Sequence, residues 1–171
     1  MSAEVTSPLG RTAVLDQTVA YFEDLQVGME CESAGRTVTE ADVVAFAGLS
    51  GDYNQLHVDK EFADASVHGG RIAHGLLVLS ILSGLCTRVG LMQSLGGSIV
   101  GLGGLECRWK RPVKIGDTLH VRLRVTELRR TSRGDRGVVM LQRDAVNQRG
   151  EVVLESMWTL IIRCRSDERQ A

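Results

Sequence analysis

Two stretches of the chain carry side chains able to do chemistry. In "SGDYNQLHVD", Ser50 to Asp59, Asp52 and His57 stand five residues apart. A carboxylate and an imidazole that grip one water can shift its proton, since the carboxylate is charged at neutral pH and the ring titrates close to it. On an extended chain the two lie about 17 Å apart, so the chemistry requires the backbone to fold back. Gly51, Asp52 and Asn54 are the residue types that turn a chain tightly. Spacing leaves two readings open: a catalytic pair, or an aspartate that bonds its own turn beside a solvated histidine. The second stretch is "IAHGLLVLSILSGL", in which His74-Gly75 opens a helix. The first N–H groups of a helix have no internal partner and can stabilise a developing negative oxygen. Gly75, without a side chain, admits such an oxygen. The plainer reading is that His74-Gly75 only starts a helix.

The elements around these residues follow from periodicity. "VGMECESAGRTV" reads as an opening strand. "TEADVVAFAGLSGD" reads as a helix with Thr39 as N-cap, Glu40 and Asp42 in its first turn and Gly48 and Gly51 at its end. "DKEFADAS" is a short helical turn at most. From His74 to Val89 a helix is expected, roughly 24 Å long. Leu76, Leu77, Val78, Leu79, Ile81, Leu82, Leu85 and Cys86 leave it no polar face, so it should be covered on most sides. Four strands follow: "SIVGLGGLECRWKRPV", whose glycines suggest a bulge, "DTLHVRLRVTELRR", "RGVVMLQRDAVNQ" and "EVVLESMWTLIIRCR". The second of them places Leu119, Val121, Leu123 and Val125 on one face, with a turn at "KIGD" before it. "NQRG" joins the last two as a hairpin. One apolar helix and a run of antiparallel strands resolve most simply as a sheet curled around the helix. An edge or face left over calls for a second subunit in a symmetric dimer.

The totals bound the class. The chain has 171 residues, 43% apolar and 24% charged, with 20 basic and 21 acidic residues. That fits one domain with a core, and gives no global field to attract nucleic acid or an anionic membrane. Residues 1–20 lack a basic start followed by an apolar run, and Leu76–Leu85 is too short to span a bilayer; the expectation is a cytoplasmic protein. The domain is placed at 21–165, with tails at 1–20 and 166–171. Cys31, Cys86, Cys107 and Cys164 form no CxxC and read as small buried hydrophobes. "GGSIVGLGG" lacks the phosphate-loop patterns. His57, His68 and His74 lack metal-ligand spacing and a carboxylate set, so no metal is expected. His120 faces outward on its strand.

The paired stretches "SGDYNQLHVD" and "IAHGLLVLSILSGL", with His57 and Gly75 18 residues apart, together with "PVKIGDTL", resemble the MaoC-like acyl dehydratases and R-specific enoyl-CoA hydratases. The resemblance runs from Tyr21 to Arg163. It implies a single α+β hot-dog domain, an antiparallel sheet wrapped around a long central helix, in a homodimer. It implies Asp52 and His57 as the catalytic carboxylate and imidazole, Gly75 as the N–H that binds the thioester oxygen, and Asn54 and Ser83 in support. The implied reaction is reversible addition of water to a trans-2-enoyl-CoA, with no cofactor beyond the coenzyme A of the substrate. Arg108, Lys110, Arg111 and Lys114 read either as a solvated strand end or as contacts for the coenzyme A phosphates. A thioesterase on the same fold and a non-catalytic acyl-CoA-binding subunit are the alternatives. One departure stands out: Gln55 occupies a position where the family usually has proline, which leaves the loop less rigid.

Overall fold

The computed structural model describes residues 19–165. The tail expected at 1–20 therefore lies outside the described residues up to position 18, as does all of 166–171. The chain is already docked before Tyr21: Ala20 N–H donates to the Ser94 carbonyl, and its own carbonyl accepts from Ser98 Oγ.

In chain order the elements are β1 (Glu30–Glu32), β2 (Arg36–Thr37), α1 (Glu40–Ser50), α2 (Gln55–Val58), α3 (Lys60–Ala65), α4 (Gly75–Cys86), α5 (Gly90–Leu95), β3 (Ile99–Trp109), β4 (Thr118–Arg130), β5 (Arg136–Asn147) and β6 (Val152–Arg163). One antiparallel sheet runs β1-β4-β5-β6-β3, and β2 also pairs with β4. The single opening strand expected from "VGMECESAGRTV" is two short strands instead. The intervening Ser33 bonds Val121 of β4 through both its N–H and its hydroxyl, and the register slips there, with four steps from Glu32 to Arg36 facing three from Arg122 to Leu119. α3 is a six-residue helix rather than a bare turn, because the Asp59 side chain accepts from Phe62 N–H and caps it.

α4 packs against β4 and β5. Leu119, Val121, Leu123 and Val125 of β4 are fully buried, as the alternation predicts. They meet Leu77, Val78, Ile81, Leu82, Leu85 and Cys86 of the helix. The glycine-rich β3 carries register shifts at Ile99/Gly101 and Leu102/Gly104, the expected bulges. Close approach fixes Gly137: the Phe22 ring lies where a side chain would begin.

One expectation about the central helix needs correcting. It ends at Cys86, not Val89, because Arg88 and Val89 bond carbonyls three residues back and tighten the last turn before α5 starts. As one sheet dictates, the helix keeps an uncovered strip within one chain. Leu76 is 58% exposed, Ser80 and Gly84 are exposed, and Leu79 and Ser83 are half-buried. The curved sheet reaches only the opposite side. β3, at the sheet edge, likewise exposes Val100 and Leu102. No helix among the described residues is long and apolar enough to cross a membrane.

Candidate active site

α1 starts as its sequence demands: Thr39 and Asp42 form a reciprocal capping box. It ends at Gly51, which adopts a left-handed conformation (φ +74°) and bonds back to Ala47. The backbone then reverses through three local bonds. Ser50 Oγ accepts from Asp52 N–H, Asp52 Oδ1 from Asn54 N–H, and Asn54 Oδ1 from Leu56 N–H. The last of these caps α2, which carries His57. Asp52 braces its own turn through one oxygen, and the turn brings its carboxylate close to the imidazole.

His57 is held by a different part of the chain. Its Nδ1 lies 2.8 Å from the Ile72 carbonyl. A carbonyl only accepts, so Nδ1 carries the hydrogen and Nε2 of the neutral ring is an open acceptor. Ile72 N–H bonds Leu56, and Ala73 N–H bonds Val113 at the foot of the sheet. The imidazole is thereby referenced to the rigid scaffold through 72–73 and 113.

His74 completes the group. It is the N-cap residue of α4 and only 2% exposed. Its Nε2 donates to the Asp52 main-chain carbonyl at 3.0 Å. Its ring lies 3.8 Å from that of His57, tilted by 31°, and 5.0 Å from Phe46. Its Nδ1 is buried with no partner, a state that costs about 1–3 kcal/mol. Asp52, His57 and His74 each bring a ligand-type atom within 4.8 Å of the others. Asp52 meets His57 as the paired reading expected, and of the other histidines His74 joins them while His68 stays outside the group.

Gly75 is the first residue of α4, directly after His74. Trp109 lies across it. The indole Nε1–H donates to the Gly75 carbonyl at 2.9 Å, and a Cβ at Gly75 would stand 2.8 Å from Nε1. A cavity of about 310 Å³ opens beside these residues. Its lining includes His57, Gly75, Val78 and Trp109, with Lys110 and Arg111 at the rim. Those two cations already have partners, at 3.1 Å to Glu155 and 3.5 Å to Glu151. Lys114 Nζ bonds the Gly69 carbonyl.

The remaining expected site residues lie apart. Arg108 lines a separate groove of about 630 Å³ with Asp144 and Glu155. Its neighbour Trp109, the last residue of β3, lines the cavity instead, followed by Lys110 and Arg111. Ser83 lies on the open strip of α4, about 12 Å along the axis from Gly75. Within one chain it does not join the pair. Three of the cysteines are poor nucleophiles: burial pushes the Cys86 thiol up to about 11, and Cys31 and Cys164 are raised by the same cause. Sequence reasoning missed Trp109 and the roles of His74 and the Ile72 carbonyl. His74 left one signal, a lone histidine at the mouth of an otherwise apolar helix. Trp109 left none, since its contact spans 34 residues.

Known proteins resemble the chain over most of its length. The family model described as a MaoC like domain matches residues 24–147. The chain is 42% identical over 103 residues to protein MaoC of Klebsiella aerogenes, covering 60% of this chain and 30% of that protein. It therefore spans less than a third of that relative's length. It is 36% identical over 117 residues to an (R)-specific enoyl-CoA hydratase of Rhodospirillum rubrum, covering 66% of this chain and 74% of the relative. The crystal structure of a MaoC-like dehydratase from Rhodospirillum rubrum superposes with a TM-score of 0.78 at 36% identity, covering 86% of this chain and 99% of that one.

Proposed function

Because the chain belongs to the MaoC-like dehydratase family, we propose that it adds water reversibly to a trans-2-enoyl-CoA to give the (R)-3-hydroxyacyl-CoA. The observation that carries this reading is the convergence of Asp52 and His57 beside the N-terminus of α4. In the proposed reaction one water sits between His57 Nε2 and the Asp52 carboxylate. His57 Nδ1 is engaged by Ile72 and Asp52 Oδ1 by Asn54, so Nε2 and Oδ2 are the atoms left to hold it. As the water oxygen bonds the β-carbon, the base takes one of its protons and a proton is delivered to the α-carbon. The alkene's electron pair moves toward the thioester, and the charge on its oxygen is met by the Gly75 N–H. A positioned acid–base pair contributes roughly 10²–10⁴ in rate, and one oxyanion donor about 10²–10³.

The cavity beside His57 and Gly75 takes the thioester, and the Lys110 and Arg111 rim faces the coenzyme A phosphates. A homodimer covers the exposed strip of α4 and the β3 edge. The test is a spectrophotometric assay with crotonyl-CoA. Hydration appears as loss of enoyl-thioester absorbance, and Asp52→Asn and His57→Ala each lower it by at least about 10²-fold while the fold persists. Thiol release without hydration indicates a thioesterase, and binding without either indicates a non-catalytic subunit. Either result refutes the proposal, as does a variant with near-full turnover.

A further inference from the structure

We infer that His74 is a positioning residue for this reaction, acting through Asp52 and His57 rather than on the substrate; the inference rests on the hydratase reading above. Three observations converge on one ring. Its Nε2–H holds the main-chain carbonyl of Asp52 at 3.0 Å. Its face lies 3.8 Å from the His57 ring. Its own backbone is the N-cap residue of α4, so the next N–H in the chain is that of Gly75.

The three groups the reaction needs come from three separate elements. Asp52 stands on the turn after α1, His57 on α2, and Gly75 on α4. His74 touches the first two and leads directly into the third. At Asp52 the α1–α2 turn is otherwise held by bonds among its own residues, Ser50 to Asp52, Asp52 to Asn54 and Asn54 to Leu56. Ile72 anchors α2 beyond the turn, at Leu56 and His57. The His74 bond ties Asp52 itself to the start of α4. A buried side chain with one of its two polar atoms unpartnered is a poor choice for packing alone. A phenylalanine of similar size fills the same space without an unmet acceptor. What phenylalanine cannot supply is the donor to the Asp52 carbonyl.

Small errors in such an arrangement are expensive, because a displacement of about 1 Å costs on the order of 10² in rate. Glutamine reaches about as far as the imidazole Nε2 and carries an N–H there. Asparagine carries the same group but falls short.

The experiment compares His74→Gln, His74→Asn and His74→Phe with the wild-type chain. It reads kcat and KM for crotonyl-CoA, thermal stability, and amide hydrogen exchange at Asn54 and Leu56. His74→Phe and His74→Asn are expected to lower kcat at least about tenfold with KM changed less than about threefold. Exchange at Asn54 and Leu56 is expected to quicken at least about tenfold while β4 amides stay protected. His74→Gln is expected to recover most of both losses. If His74→Phe does not fold, the asparagine–glutamine pair decides alone. Full kcat in the asparagine variant, or a glutamine variant as impaired as asparagine at equal stability, overturns the inference. A wild-type chain inert toward crotonyl-CoA sinks the hydratase reading separately. The exchange comparison then still decides whether His74 holds the Asp52 turn, and unchanged exchange overturns it.

Discussion

Replacing Gly75 by alanine asks why this position is glycine. Two causes compete: room for the Trp109 indole, and room for a thioester oxygen nearing the N–H. A Cβ there would stand 2.8 Å from Trp109 Nε1 and 3.0 Å from Cε2. That is inside van der Waals contact, so the indole must shift and its bond to the Gly75 carbonyl weakens. Overpacking costs about 1–3 kcal/mol, and a hydrogen bond contributes about 0.5–1.5 kcal/mol. Trp109 is 48% exposed and can swing outward, which places the cost at the lower end. Alanine also regains up to about 1 kcal/mol of helix propensity. The net expectation is a loss of about 1 kcal/mol, or about 2–4 °C in Tm for a chain of this size. In a Trp109→Leu background the clash is gone, and the same substitution becomes neutral or stabilising. The coupling between the two sites is then about 1–2 kcal/mol. Denaturant unfolding of the four proteins measures it. Alanine keeps the N–H, so turnover of crotonyl-CoA separates the two causes. A double variant that regains stability but stays at least about tenfold slow assigns the glycine to the approaching oxygen. A cycle with no coupling refutes the indole account.

Gln55 is the first residue of α2, and its N–H donates to no backbone carbonyl among the described residues. Asn54 before it has φ −56° and ψ 135°, which suits a following proline. Gln55→Pro is therefore expected to stabilise by about 0.4–1 kcal/mol without loss of turnover; a lowered Tm would refute this. Asp117 ties the 114–117 turn to the β5–β6 hairpin. Burial alone would raise its carboxyl, but bonds from Gln148, the Lys114 N–H and Arg149 outweigh it and hold the group below its ordinary value. A depressed folded-state carboxyl adds stability that is present above the ordinary value of about 3.9 and is lost as pH falls through the lower, folded-state value. Asp117→Asn is thus expected to cost stability at pH 7 and to flatten the acid limb of the unfolding curve. An acid limb as steep as wild type contradicts that.

What was legible in the sequence is what a single element decides. The capping box at Thr39 and Asp42, the buried face of β4 from Leu119 to Val125, the Gly51 reversal and the hairpin at 147–150 all depend on residues within one turn or one strand of each other. So did the approach of Asp52 to His57, because the bonds that shape it run from Ser50 to Leu56. The end of α4 was misplaced although Thr87 and Arg88 already interrupt the apolar run after Cys86; the tightened bonds of Arg88 and Val89 mark the stop. Arg108 was grouped with Lys110 by adjacency, yet the end of β3 at Trp109 sends them to different cavities. The largest omission has the same cause. The Ile72 carbonyl, His74 and Trp109 act on residues 15 to 34 positions away, and beyond the lone histidine at the mouth of α4 no local pattern announces it. The groups that would touch the substrate are therefore written in short motifs, while those that hold them in register are set by the fold. A single-residue change at His57 reads the motif; only paired changes, at Gly75 with Trp109 or among the His74 variants, read the frame that aims it.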